Sequence, residues 1–206
     1  MKKIFYILLV VLLIIVLTFC AVIVWSINYQ KTIKICKSID PEVVSSQELI
    51  GIAKSELDIH FDIEMDNLYV GDIVMYLNEE HRGQIIITFS DVNSPQSRYL
   101  IYFDTYEHIL QQIHYFKNEP KISIDTLHPE QWTIDSIDLE TIANNVFSTE
   151  NDFTYDKVSI STSVPLDGAH EVWHIGLTDS DRNISYRLAI DAFTGEIRSK
   201  SIYLYS

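Results

Sequence analysis

The chain has 206 residues, with 15 Lys and Arg against 29 Asp and Glu, a formal net charge of −14. The charge is divided: the first 37 residues carry five lysines and no acid (+5), and the remainder carries ten basic against 29 acidic residues (−19). An acidic body repels phosphate backbones, which excludes nucleic acid as a partner, and six Gly and five Pro beside 12 Tyr and nine Phe exclude a disordered chain and a glycine-rich phosphate-binding enzyme.

The run from Ile4 to Ile27 holds no charged residue and is almost wholly aliphatic or aromatic, interrupted by Thr18, Cys20 and Ser26. As a helix it would be about 36 Å long, against a bilayer core of about 30 Å, with Trp25 and Tyr29 at interfacial positions. It is too long for the apolar region of a cleaved signal peptide, and Val24-Trp25-Ser26 is a poor cleavage site. Phe19 before Cys20 is too bulky for a lipoprotein signal. Residues 1–30 are therefore expected to be an N-terminal transmembrane signal-anchor, with the lipid bilayer as partner of residues 4–27, followed by a juxtamembrane linker over 31–44. Lys2 and Lys3 oppose Lys31, Lys34 and Lys37 across the span, so the charge rule is nearly balanced. A signal-anchor with so short a leading tail is expected to leave that tail in the cytoplasm and residues 38–206 outside, as a single-pass cell-membrane protein. Residues 38–206 contain no cysteine and hence no internal disulfide.

The body is written twice. Ser45 with Glu48 forms a capping-box start, and Leu49, Ile50, Ile52, Ala53 and Leu57 follow at helical spacing. Strand-like runs come next at Leu68–Leu77, Gln84–Ser90, Ser97–Asp104 and Ile109–Phe116, parted by turn-forming residues. After a linker over 118–134 the order restarts: Asp135 or Ser136 caps a helix carrying Ile137, Leu139, Ile142, Ala143, Val146 and Phe147. Strand-like runs follow at Phe153–Val164, Glu171–Thr178, Ser185–Asp191 and Ile197–Leu204. Ile52-Ala53 aligns with Ile142-Ala143, Asp91 with Asp179, and Asp104 with Asp191. The expected fold class is α+β: the transmembrane helix, then two repeats, 45–117 and 135–206, each one helix packed on a three- to four-stranded antiparallel sheet.

Val172-Trp173-His174-Ile175-Gly176-Leu177 followed by Tyr186-Arg187-Leu188-Ala189-Ile190-Asp191-Ala192-Phe193-Thr194-Gly195-Glu196-Ile197 resembles the end of a PepSY domain, where a Trp-bearing strand precedes a strand running into D-x-x-T-G-x-I/V. Asp191 and Thr194 can bond turn backbone groups, and Gly195 can take positive φ. The first copy resembles the family less, since Thr105-Tyr106-Glu107-His108 replaces the Thr-Gly turn. The layout is similar to membrane-anchored tandem PepSY-like proteins of Gram-positive bacteria. The resemblance implies a non-catalytic module that binds or restrains a cell-envelope peptidase or wall hydrolase, without a cofactor. The candidate contact region is Trp173 with the following hairpin: Tyr186, Asp191, Thr194 and Gly195. A core position for Trp173 is the alternative.

One motif points to a different chemistry. His170-Glu171-Val172-Trp173-His174 matches HExxH, which holds zinc only on a helix, where positions four apart share a face. Here a helix-hostile Pro165-Leu166-Asp167-Gly168 precedes it and β-formers surround it; in a strand the two histidines would stand about 13 Å apart. A membrane-tethered zinc metallohydrolase using these residues is the alternative from another class, and a structural subunit of a membrane complex is a third. Asp179-Ser180-Asp181-Arg182-Asn183 opens like an EF-hand loop but has Ile184 and Ile190 where Gly and Glu are required, so it reads as a turn. No catalytic, cofactor or metal residue is assigned.

Overall fold

The computed structural model describes residues 30–40, 45–78, 80, 82–117, 126–165 and 170–205, together with residues 11 and 14–18. The expected transmembrane run, 4–27, lies outside this set apart from residues 11 and 14–18, which are helical and exposed. Among the described residues no helix is long and apolar enough to cross a membrane.

In chain order the elements are β1 (Gln30–Ser38), α1 (Ser46–Phe61), β2 (Leu68–Asn78), β3 (Gly83–Asp91), β4 (Ser94–Asp104), β5 (Ile109–Phe116), α2 (Ser136–Phe147), β6 (Lys157–Ser163), β7 (Val172–Asp179), β8 (Ile184–Asp191) and β9 (Ile197–Leu204). The nine strands form one antiparallel sheet in the order β1-β5-β4-β3-β2-β6-β7-β8-β9. This corrects the expected fold class, because the strands do not divide into two separate three- to four-stranded sheets. β2 and β6 are the first strands of their meanders and would each leave an unpaired edge; pairing Val74–Asn78 with Lys157–Ser161 removes both edges at once. The stretch expected to be a juxtamembrane linker also contributes β1, whose Ile33 stands opposite Ile113 of β5.

Strand alternation sorts the side chains. Met75, Ile85, Phe103 and Leu110 lie in one cross-strand row that continues through Ile160, Ile175 and Leu188, and all seven are buried. Leu49, Ala53 and Leu57 of α1 and Leu139, Ala143 and Phe147 of α2 join the same core cluster, so both helices cover that face of the sheet. The segment between the halves contributes too: Leu127 N–H donates to Val70 C=O at 2.8 Å, and Trp132 sits edge-on to Trp173 with ring centroids 4.8 Å apart.

The two helices meet at their N-termini. Ser45 makes no side-chain bond to its own helix; its hydroxyl donates to Asp135 Oδ2 at 2.8 Å, and Ser46 N–H donates to Asp135 Oδ1 at 2.8 Å. Asp135 also accepts from Ser136 N–H at the start of α2, where Asp138 completes a capping box. One carboxylate thus caps its own helix and a second helix 90 residues away, facing the positive ends of both backbone dipoles. Burial alone would raise the Asp135 carboxyl, but hydrogen bonds from Ser46, Ser45 and Ser136 outweigh it and hold the carboxyl below its ordinary value.

Asp135→Ala removes both caps and is expected to lower the unfolding free energy by about 2 kcal/mol at neutral pH. Since the folded-state carboxyl lies below the unfolded value of about 3.9, its contribution is present above that value and lost as pH falls through the lower folded-state value. Urea midpoints of wild type and variant should therefore differ steadily above about pH 5 and converge below about pH 4.

Candidate functional site

The residues expected to contact a partner lie mostly inside the protein. Trp173 has no exposed surface, and Tyr186 and Asp191 are buried. Trp173 Nε1 donates to Ile134 C=O at 3.0 Å, and Tyr186 lies among Phe147 and Phe153. Asp191 builds the turn: its Oδ1 accepts from Phe193 and Thr194 N–H at 3.0 and 2.9 Å, and Arg198 donates to Oδ2. Burial opposes ionisation of Asp191, yet Arg198 and the turn amides hold its carboxyl far below the usual range. Gly195 takes φ +73°, and of these five residues Thr194 is the exposed one. The first half builds the same turn without glycine: Asp104 Oδ1 accepts from Tyr106 and Glu107 N–H, and His108 takes φ +51°.

The HExxH residues are dispersed. Val172–Asp179 is a strand, and each of the three side chains has a different partner. His170 Nδ1 lies 3.3 Å from Asp191. Buried Glu171 accepts from His128 N–H at 2.8 Å and from Trp132 Nε1. His174 Nε2 faces Ser163 Oγ at 2.7 Å. Among the described residues no three His, Cys, Asp or Glu side chains are grouped to hold a metal ion. The Ser163–His174 pair has the spacing of a nucleophile and base, and partial desolvation lowers the His174 pKa. Among the described residues no carboxylate is hydrogen-bonded to its other ring nitrogen, so the orienting member of a triad is missing.

The face opposite the helices carries a feature that the sequence reading passed over. In β6, Val158 and Ile160 enter the core while Ser159 and Ser161 point away, and in β7 Ile175 and Leu177 enter the core while His174 and Gly176 face outward; the register carries this outward row across β8 and β9. One cross-strand row on this open face runs Tyr76, Ser159, Gly176, Arg187, Ser201, and the next runs Val74, Ser161, His174, Ala189, Ser199. Small side chains along both rows leave a trough of about 550 Å³, bordered by Tyr76 on one side and by Tyr203 and Tyr205 on the other. A Cβ on Gly176 would stand 2.7 Å from Ser159 Oγ, so glycine keeps the floor open there. Among the described residues Arg187 is the one fully charged side chain in the lining; its Nη2 donates to Tyr205 Oη at 3.0 Å and its guanidinium lies 4.9 Å from the Tyr203 ring. The i, i+2 serines of Lys157–Ser163 and of Ile197–Leu204 were the available signal for this surface.

The trough is bordered by an open sheet edge. β9 ends the sheet, with Ile197, Ile202 and Leu204 exposed by 48, 42 and 78 %. Its cations do not guard that edge, because Arg198 is drawn to Asp191 and Lys200 to Glu150.

No family model and no curated protein matches the chain. Among solved structures, the fold is similar to the crystal structure of a candidate lipoprotein from Clostridium difficile 630, with a TM-score of 0.53 over 78% of this chain and 93% of that chain at 12% identity. A likeness at that identity establishes the fold and no more.

Placement in the core has a direct test. Trp173→Ala is expected to cost about 3 kcal/mol or more of stability, whereas Tyr203→Ala on the trough border should change it by less than about 0.5 kcal/mol. Urea unfolding of both variants measures the contrast.

Proposed function

We propose that this chain is a membrane-held, extracytoplasmic binding module that accepts a strand of a cell-envelope protein along β9. The observation that carries this reading is the difference between the two sheet edges. β1 is the better defended: although Lys31 and Lys37 are drawn to Phe61 and Glu56, it keeps Lys34 and a mid-strand bulge in which Cys36 takes φ +53°, devices that discourage strand pairing. β9 is bulged only at its start, at Arg198, and pairs in regular register from Ser199 to Leu204; its two cations are drawn to acids and Ile202 and Leu204 are exposed, which suits recognition by strand addition along that stretch. The apolar run 4–27 with its flanking lysines supports attachment to a bilayer, and the similarity in fold to a candidate lipoprotein is compatible with a protein held at a membrane. The PepSY resemblance, carried by Val172 to Ile197, supplies the partner class: an envelope peptidase or wall hydrolase that the module engages or restrains without chemistry of its own.

Two measurements test this. A photo-cross-linking residue at Leu204 of the full-length protein in its own cells is expected to capture one envelope protein, and Ile202→Lys should abolish the capture with little change in stability. Capture from helix-face positions such as Ile137, and not from β9, would overturn strand addition. Cys36, a free and exposed thiol, reports the side of the membrane: in a Cys20→Ser background, a membrane-impermeant maleimide should label it on intact cells. Labelling only after lysis would place the sheet in the cytoplasm.

A further inference from the structure

We propose that the open-face trough binds an extended oligosaccharide bearing carboxylates, with Arg187 as the anchor for one of them. This stands apart from the strand-addition reading, since it uses the face of the sheet and not its edge. Three features of the trough define the ligand.

The first is what the backbone has left to offer. β6, β7 and β8 are hydrogen-bonded to neighbours on both sides, so their amides and carbonyls are committed to the sheet. A peptide laid across them would find no main-chain partners. Recognition falls to side chains, and those are hydroxyls: Ser159, Ser161, Ser199 and Ser201 along the floor, with Thr178 and Ser185 beyond. Each hydroxyl donates and accepts, which matches a ligand that is itself covered in hydroxyls.

The second is the border. Tyr76, Tyr203 and Tyr205 are all exposed by about half or more, at 59, 47 and 51 %. A tyrosine presents a flat apolar face with a polar tip, suited to a sugar ring with one apolar face and a polar rim. The trough crosses β2, β6, β7, β8 and β9, about 19 Å at ordinary strand spacing, so it takes a chain of rings and not a single one.

The third is charge. On a protein of net charge −14, no carboxylate among the described residues lines the trough, and Arg187 does. His174, with Nε2 at 2.7 Å from Ser163 Oγ, serves as a hydrogen-bonding group. Arg187 is already steadied by Tyr203 and Tyr205, with one of its five donors engaged with a tyrosine hydroxyl and the fork able to take a carboxylate. Surrounding acids would repel a dense polyanion, so sparse carboxylates separated by neutral hydroxyl-bearing rings fit best.

The test uses the full-length chain in phosphatidylcholine nanodiscs, titrated calorimetrically with hexagalacturonate, maltohexaose and hexaglutamate. Hexagalacturonate is expected to bind saturably, and Arg187→Gln to weaken it about tenfold or more, the effect of one charge-assisted hydrogen bond. Gly176→Leu, which fills the floor, should remove binding. Arg187 is exposed, so its variant should keep the wild-type unfolding midpoint even if Gly176→Leu does not fold. Maltohexaose should bind about tenfold more weakly or not at all. The proposal is overturned if hexagalacturonate shows no saturable binding, if Arg187→Gln leaves its affinity unchanged, or if hexaglutamate binds as tightly.

Discussion

Two helices direct the positive ends of their backbones at the carboxylate of Asp135, and the union of the two halves depends on that convergence. Helix N-termini brought together would repel, each behaving as roughly half a positive charge with unsatisfied N–H donors. A single anion between them turns repulsion into attraction and satisfies donors from both. α1 leads into β2 and α2 into β6, so fixing the helix starts also places the two strands that form the seam. The seam has its own polar closure, since Thr162 of β6 accepts from Ile73 N–H and donates to Asp72 of β2.

Once the sheet is continuous, its two faces acquire opposite tasks. The helix-covered face holds one apolar core from Ile113 to Leu188. The open face changes character at the seam. Over β3 to β5 it is bulkier, with Ile86, Leu100, Tyr102 and His114 half-buried beside Thr88 and Gln112 and the Tyr102 and His114 rings 4.7 Å apart. Over β6 to β9 it becomes small and hydroxyl-bearing. A row of large side chains builds a flat, self-packed surface, whereas a row of serines and one glycine leaves room for something else. The trough is therefore a property of side-chain size along two cross-strand rows.

Local features of the chain were legible from sequence because local chemistry produces them. The alternation in Ile109–Phe116, the helical spacing from Leu49 to Leu57 and the Asp191 turn all follow from residues close in sequence. What lay beyond reach was long-range. Nothing near Tyr76 indicates that it will stand opposite Ser159, and the basic stretch Gln30–Ser38 looks like a polar tether until β5 is beside it. The capping of α1 misled for the same reason: Ser45 and Glu48 have the right spacing, but a better acceptor arrives from Asp135. Trp173 drew attention as a large aromatic in a family-like strand, and packing against Trp132 took it inside. The serines were visible throughout; their meaning required knowing which rows they share.

The seam also dictates an order of events during folding. Within each half, consecutive strands pair through short turns, and such local hairpins close in microseconds. The contact of β2 with β6 and of Ser46 with Asp135 joins positions separated by roughly 80 to 90 residues, and non-local closure of this kind is the slow step. A chain delivered from its amino end would complete β2 to β5, and add β1, while β6 is still absent. During that interval β2 is an exposed apolar strand edge, open to a second copy of the same chain. The interval ends only when the later half arrives, so synthesis or export speed, and not equilibrium stability alone, determines how much of this protein reaches its single-sheet form.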